Sequence, residues 1–181
     1  LSRGLGDVYK RQTLADTDFF ELFFYGLWRV LPMIIVSYVV GLGIEFAAAQ
    51  IRGHEINEGF LVSGLLIPMI MPINAPLWMV GVSTAFAVII GKEIFGGTGM
   101  NIWNPALLAR AFFFFSYPSM ISGDKVWIAG MPDGFSQATP LAEAAQGLPT
   151  TYDMSSMFWG LIPGSVGETS TFCILPVSYT H

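Results

Sequence analysis

Residues 22–49 read LFFYGLWRVLPMIIVSYVVGLGIEFAAA, an apolar run broken by charge only at Arg29 and Glu45. A helix rising about 1.5 Å per residue needs about 20 such residues to cross the hydrocarbon core of a bilayer. The run supplies that length with some to spare for tilt, and its reading decides the fold class. The whole chain agrees with it: of 181 residues, 53% are hydrophobic and 12% charged, about half the charge of an ordinary soluble domain. The expected fold is all-α, a polytopic transmembrane helical bundle with short, broken helices.

Working outward, the polar segment QIRGHEINEG (residues 50–59) is a hinge, and the apolar run from Phe60 to Ile73 carries Pro68 and Pro72. That run is too short to span comfortably and reads as a kinked or half-length helix. PINAP (72–76) is a tight turn, and Leu77 to Phe95 is a further span ending at Lys92 and Glu93. GGTGMNIWNP (96–105) breaks regular structure. Pro105 suits the first turn of a new helix with Asn104 as its N-cap, and this helix should stop near Pro118. A polar loop, 119–156, follows. The last apolar segment starts at Met157 and is interrupted by IPGSVGETST (162–171). A hairpin of the second and third segments puts Arg52 and Lys92 on one side, which lysine and arginine placement marks as cytoplasmic. One more crossing by the Pro105 helix then sets the 119–156 loop outside.

The composition excludes several functions. The net charge is −5 with no basic stripe, which speaks against nucleic acid. The single cysteine, Cys173, rules out an intramolecular disulfide and a cysteine-only metal cage. No secretory leader pattern is visible. In RGHEINEG a His–Glu pair suggests a metal, but HExxH is absent because position 58 is Glu, so His54, Glu55 and Glu58 read as a solvated or interfacial loop. No metal ligand set is assigned. LSRGLGDVYKRQ (1–12) and PVSYTH (176–181) resemble translated adapter sequence, so both are expected to be non-native tails around a partial membrane domain at 13–175.

In DGFSQATPL (133–141), Pro140 fits the first position of a short helix and Gly147 its C′ residue, which makes Thr139 the N-cap. The amides and positive dipole at a helix start also attract phosphate. From the residues alone two readings stay open: an ordinary threonine cap, or the anchor of a phosphate ester.

The stretches GHEINEGFLVSGLLIP, GKEIFGGTGMNIWNPALLARAF, FSYPSMISGDKVW, DGFSQATPL and IPGSVGETST together resemble the B subunit of sodium-translocating NADH:quinone oxidoreductases. The related D subunit of Rnf electron-transport complexes shares chiefly DGFSQATPL. The resemblance implies a membrane subunit, not active alone, of an NADH:ubiquinone reductase that transports Na+ across a bacterial inner membrane. Implied cofactors are covalent FMN and riboflavin. Implied partners are the other subunits, a flavin transferase, membrane lipid and quinone. By resemblance Thr139 takes FMN through a phosphoester, with Ser136 and Ala138 in the same motif. The family has glycine where this chain has Gln137, and glutamine tolerates positive φ and close approach less well.

Asn101 and Asn104 match positions that contact riboflavin in the family; from the residues alone they are a loop and a cap. Arg110, near mid-helix, suits an anionic flavin or carboxylate, or else an ion pair or snorkelling contact. Gly41 matches a glycine tied to the quinone region, and helix packing explains it equally. Charged residues inside spans usually face a bundle interior, which draws attention to Arg29, Glu45, Lys92 and Glu93. Glu168 and Ser170 lie in a broken segment of the kind that marks ion paths, or simply where one helix ends. Two other readings are carried: an Rnf-type D subunit, and a channel or secondary transporter without redox function.

Overall fold

The computed structural model describes residues 19–53, 59–121, 140–147, 149, 152–162, 164–167 and 169–180. Its elements are helices α1 (Phe19–Arg52), α2 (Phe60–Ile70), α3 (Leu77–Gly91), α4 (Pro105–Ser116), α5 (Pro118–Ile121), α6 (Pro140–Ala145), α7 (Met154–Trp159) and α8 (Thr171–Thr180). A 3-10 turn, Glu93–Phe95, follows α3. Among the described residues there is no strand. The fold is the expected all-α one.

Helix α1 has 34 residues, about 51 Å of axis, against a hydrocarbon core of about 30 Å. It continues through Gln50 and Arg52, one turn beyond the apolar run, because Gly53 closes it with an N–H···O bond of 2.8 Å to Ala49. Helix α3 with its 3-10 turn, Leu77–Phe95, is also long and apolar enough to cross a membrane.

The 11 residues of α2 reach only about 16 Å. Two prolines explain why it stops: Pro68 lies inside it, and Pro72 follows its end. At Ala75 the tip closes on Pro72 with a 3.1 Å backbone bond, and Met71 and Ala75 there are buried. Helix α2 runs antiparallel to α1, with Phe60 against Gly41 and Gly64 against Tyr38. Helix α3 runs parallel to α1, since Gly81 faces Val36 and Val40 while Lys92 meets Glu45. The α2–α3 hairpin therefore returns Lys92 and Glu93 to the end of α1 that carries Arg52, as the sequence predicts.

Helix α4 is antiparallel to α3: Leu108 lies over Gly91, Phe112 stacks on Phe86 at 4.3 Å, and Tyr117 meets Trp78 edge-on at 5.6 Å. With 12 residues it extends about 18 Å, less than the full crossing expected from the sequence. The break falls at Tyr117, φ −133° and ψ 58°, where Pro118 disfavours the helical conformation of the preceding residue. Met33, Ile67, Met71, Val80, Ala109 and Phe113 form the shared core of α1 to α4.

Candidate functional site

Glu45, Arg52, Lys92, Glu93 and the asparagine motif lie toward the α1 C-terminal end of the bundle, whereas Arg29 and Arg110 do not. Two ion pairs tie α1 to the end of α3. Arg52 donates to the Glu93 carbonyl at 2.5 Å and approaches its carboxylate at 3.6 Å. Seven residues deeper in α1, the Lys92 ammonium donates to the Glu45 carboxylate. Both side chains are withdrawn from solvent, Glu45 at 6% and Lys92 at 4% exposure. The ammonium also lies 5.8 Å from the centroid of the Phe60 ring, within cation–π range. The sequence marks each charged residue separately and does not pair them. The available signal was that an acid and a base isolated in apolar helices seldom remain apart.

Phe60 is fully buried. A Cβ on Gly41 would run into its ring, and one on Gly64 would come within 3.0 Å of it and within 2.9 Å of Tyr38. The room left by Gly41 is thus filled by this ring, which is the helix-packing arrangement. Tyr38 closes the cluster by donating its hydroxyl to the Leu61 carbonyl at 2.6 Å.

Between the 3-10 turn and α4, Gly96, Gly97 and Gly99 take φ of 112°, 97° and 89°, a region that side-chain-bearing residues rarely adopt. This loop delivers Asn101 and Asn104. Asn104 caps α4 as predicted: its Oδ1 accepts from the Ala106 amide at 2.9 Å. Asn101 donates its Nδ2 to the Trp103 carbonyl at 3.2 Å, and Trp103 packs edge-on against Phe95 at 5.7 Å. Each asparagine has committed one end of its amide, leaving an acceptor on Asn101 and a donor pair on Asn104. A flavin pyrimidine edge alternates carbonyls with N–H, so the two remaining ends match it in kind.

Arg110 has a protein partner: it donates to the Ile70 carbonyl, at the C-terminus of α2, where a cation also suits the helix dipole. Nearby, the Gly167 amide donates to the Met69 carbonyl at 3.2 Å, docking the turn at Val166 and Gly167 on the same helix end. Ser170 Oγ accepts from the Cys173 amide at 3.3 Å, capping α8. Arg29 is exposed, and among the described residues its hydrogen bond and its ring contact are both with Tyr25, one turn back on its own helix.

Ser136, Gln137, Ala138 and Thr139 lie outside the described residues, as do His54, Glu55, Glu58 and Glu168. The short helix expected after Thr139 is present: α6 begins at Pro140. Gly147, at φ 69°, ends it by donating to the Ala144 carbonyl at 3.1 Å. Among the described residues no group of His, Cys, Asp and Glu is arranged to hold a metal.

Apolar spans, a hairpin with a buried tip and a paired acid and base within the helix bundle define a helical membrane protein. More particularly, the chain belongs to the NQR2, RnfD, RnfE family, whose model matches residues 13–178. It is 50% identical over 157 residues to the B subunit of the Na(+)-translocating NADH-quinone reductase of Chromohalobacter salexigens, covering 84% of this chain and 38% of that protein. The proteins of the same name from Pseudoalteromonas atlantica and Klebsiella pneumoniae (strain 342) are 45% and 47% identical. Those matches cover 90% and 89% of this chain and 41% of each relative. The chain thus spans about two fifths of the length of these relatives.

Proposed function

We propose that the chain is part of the membrane subunit of a sodium-translocating NADH:quinone reductase, carrying flavin and passing electrons toward quinone. The observation that carries this reading is the 45–50% identity to proteins of that name over most of the chain. The same names favour it over the Rnf-type alternative, although the family model includes both. NADH oxidation, quinone reduction and sodium movement belong to the assembled complex in a bacterial inner membrane.

Thr139 is the proposed site of covalent FMN, attached through a phosphoester by a flavin transferase, with Ser136 and Ala138 forming the rest of the motif. Support comes from the helix that starts one residue later at Pro140, since a residue just before a helix stands where backbone amides face an anion. This loop is assigned to the outer, periplasmic face. Asn101 and Asn104 are the proposed hydrogen-bonding pair for a riboflavin ring. Arg110, which also holds the α2 C-terminus, is the proposed partner of an anionic flavin. A quinone ring reaching Gly41 requires Phe60 to move aside. Bound flavins would supply the electron transfer, while the protein positions them and sets their electrostatics.

The test is in-gel flavin fluorescence of the complex matured with its transferase, with Thr139→Val as control. Loss of the fluorescent band in Thr139→Val, with a mass increment on the 133–147 peptide of the unsubstituted protein, is the expected result. A band that persists in the variant rejects the attachment site. A colourless, correctly inserted protein with an unmodified peptide favours a transporter without redox function.

A further inference from the structure

Helix α1, with 34 residues, is longer than a bilayer core is thick, and taking Arg52, paired with Glu93, as the anchor at one boundary sets the excess at the N-terminal end. With Arg52 at one hydrocarbon boundary, about 30 Å of upright helix reaches back about 20 residues, to Pro32 and Met33. Arg29 then stands about 4 Å beyond the opposite boundary, at headgroup depth. Its neighbours are what that layer favours: Trp28 is 75% exposed and Tyr25 55%, and amphipathic aromatic rings concentrate at the membrane–water interface.

Among the described residues, the partners of the cations separate Arg29 from the rest. Arg52 and Lys92 each meet a carboxylate, and Arg110 holds a backbone carbonyl. Among the described residues, the hydrogen bond and the ring contact of Arg29 are both with Tyr25: the hydroxyl at 3.5 Å and the ring centroid at 5.7 Å from the guanidinium carbon. Neither supplies negative charge. The guanidinium is therefore held along the helix by an aromatic ring, with its remaining donors turned to the surroundings.

We propose that Tyr25, Trp28 and Arg29 form a binding site for the phosphate of an anionic phospholipid headgroup. The inference rests on α1 being a membrane span and not on the redox reading. A planar guanidinium binds phosphate oxygens through two parallel N–H donors. Trp28 would lie along the glycerol region, and Tyr25 holds the arginine at the correct height.

The experiment uses the membrane-extracted protein with the subunits that copurify, reconstituted in nanodiscs. The readout is fluorescence quenching of Trp28, taken as the difference from Trp28→Phe, by bromine-bearing phosphatidylglycerol or phosphatidylcholine at equal mole fraction. Phosphatidylglycerol is expected to quench in excess. Arg29→Gln should lower the apparent preference about fivefold, Arg29→Lys should keep most of it, and raised salt should erode it. Equal quenching by both lipids, or an excess that survives Arg29→Gln, overturns the proposal. Quenching of the other four tryptophans but not of Trp28 assigns this face to a protein partner and overturns it too. If none of the five tryptophans is quenched, the membrane reading itself fails.

Discussion

Asn104 divides its amide between two tasks. Its oxygen caps α4, and its nitrogen is the end available to a ligand. Asn104→Asp keeps the capping oxygen and removes the donor pair. Unfolding stability should stay within about 0.5 kcal/mol, because both residues cap well, while riboflavin retained on purification should drop. Asn104→Ala should cost about 1 kcal/mol in addition. Thermal unfolding and flavin quantification on the same preparations separate the two effects; equal riboflavin in Asn104→Asp and the unsubstituted protein removes this residue from the site. The cap was legible in the sequence because Asn-Pro before an apolar run is a local signal. The use of Asn101 Nδ2 within the loop was not, because it depends on a turn that three positive-φ glycines shape.

At the scale of elements, the bundle is joined where α1, α2 and α3 meet around Glu45, Lys92 and Phe60. Removing one member of a buried ion pair leaves an uncompensated charge, which costs about 3–5 kcal/mol, whereas replacing both by apolar residues is often neutral or stabilising. Lys92→Met should therefore destabilise the protein by that amount, and Glu45→Leu with Lys92→Met should recover most of the loss. Denaturant unfolding in detergent, run as a double-mutant cycle, measures the coupling. Additive losses would show that the pair does not hold the helices together. The lengths of the apolar runs and the proline positions made the helices legible, including the early stop of α2. Which face of α1 meets α3 was not, since α1 is apolar nearly all round and gives no stripe to follow.

For the whole molecule, the topology drawn from a few basic residues sets the 96–104 loop and the α6 region on opposite sides of the membrane. Single cysteines at Thr98 and Gln146, in a Cys173→Ser background, should react with a membrane-impermeant thiol reagent from opposite faces of sealed vesicles. Labelling of both from one face refutes that topology. The sequence displayed its spans because lipid demands long apolar runs; it displayed the α2–α3 hairpin only as prolines at awkward places. The distance between Glu45 and Lys92, 47 residues along the chain, bears on how such a protein is made. At a synthesis rate of about 5–20 residues per second, Glu45 emerges from the ribosome about 2–10 seconds before Lys92 emerges to meet it. A carboxylate is costly in lipid without a counter-ion. Helix α1 thus has reason to linger at the translocon's aqueous lateral gate until α3 arrives, so that the first helices leave for the bilayer together as one unit.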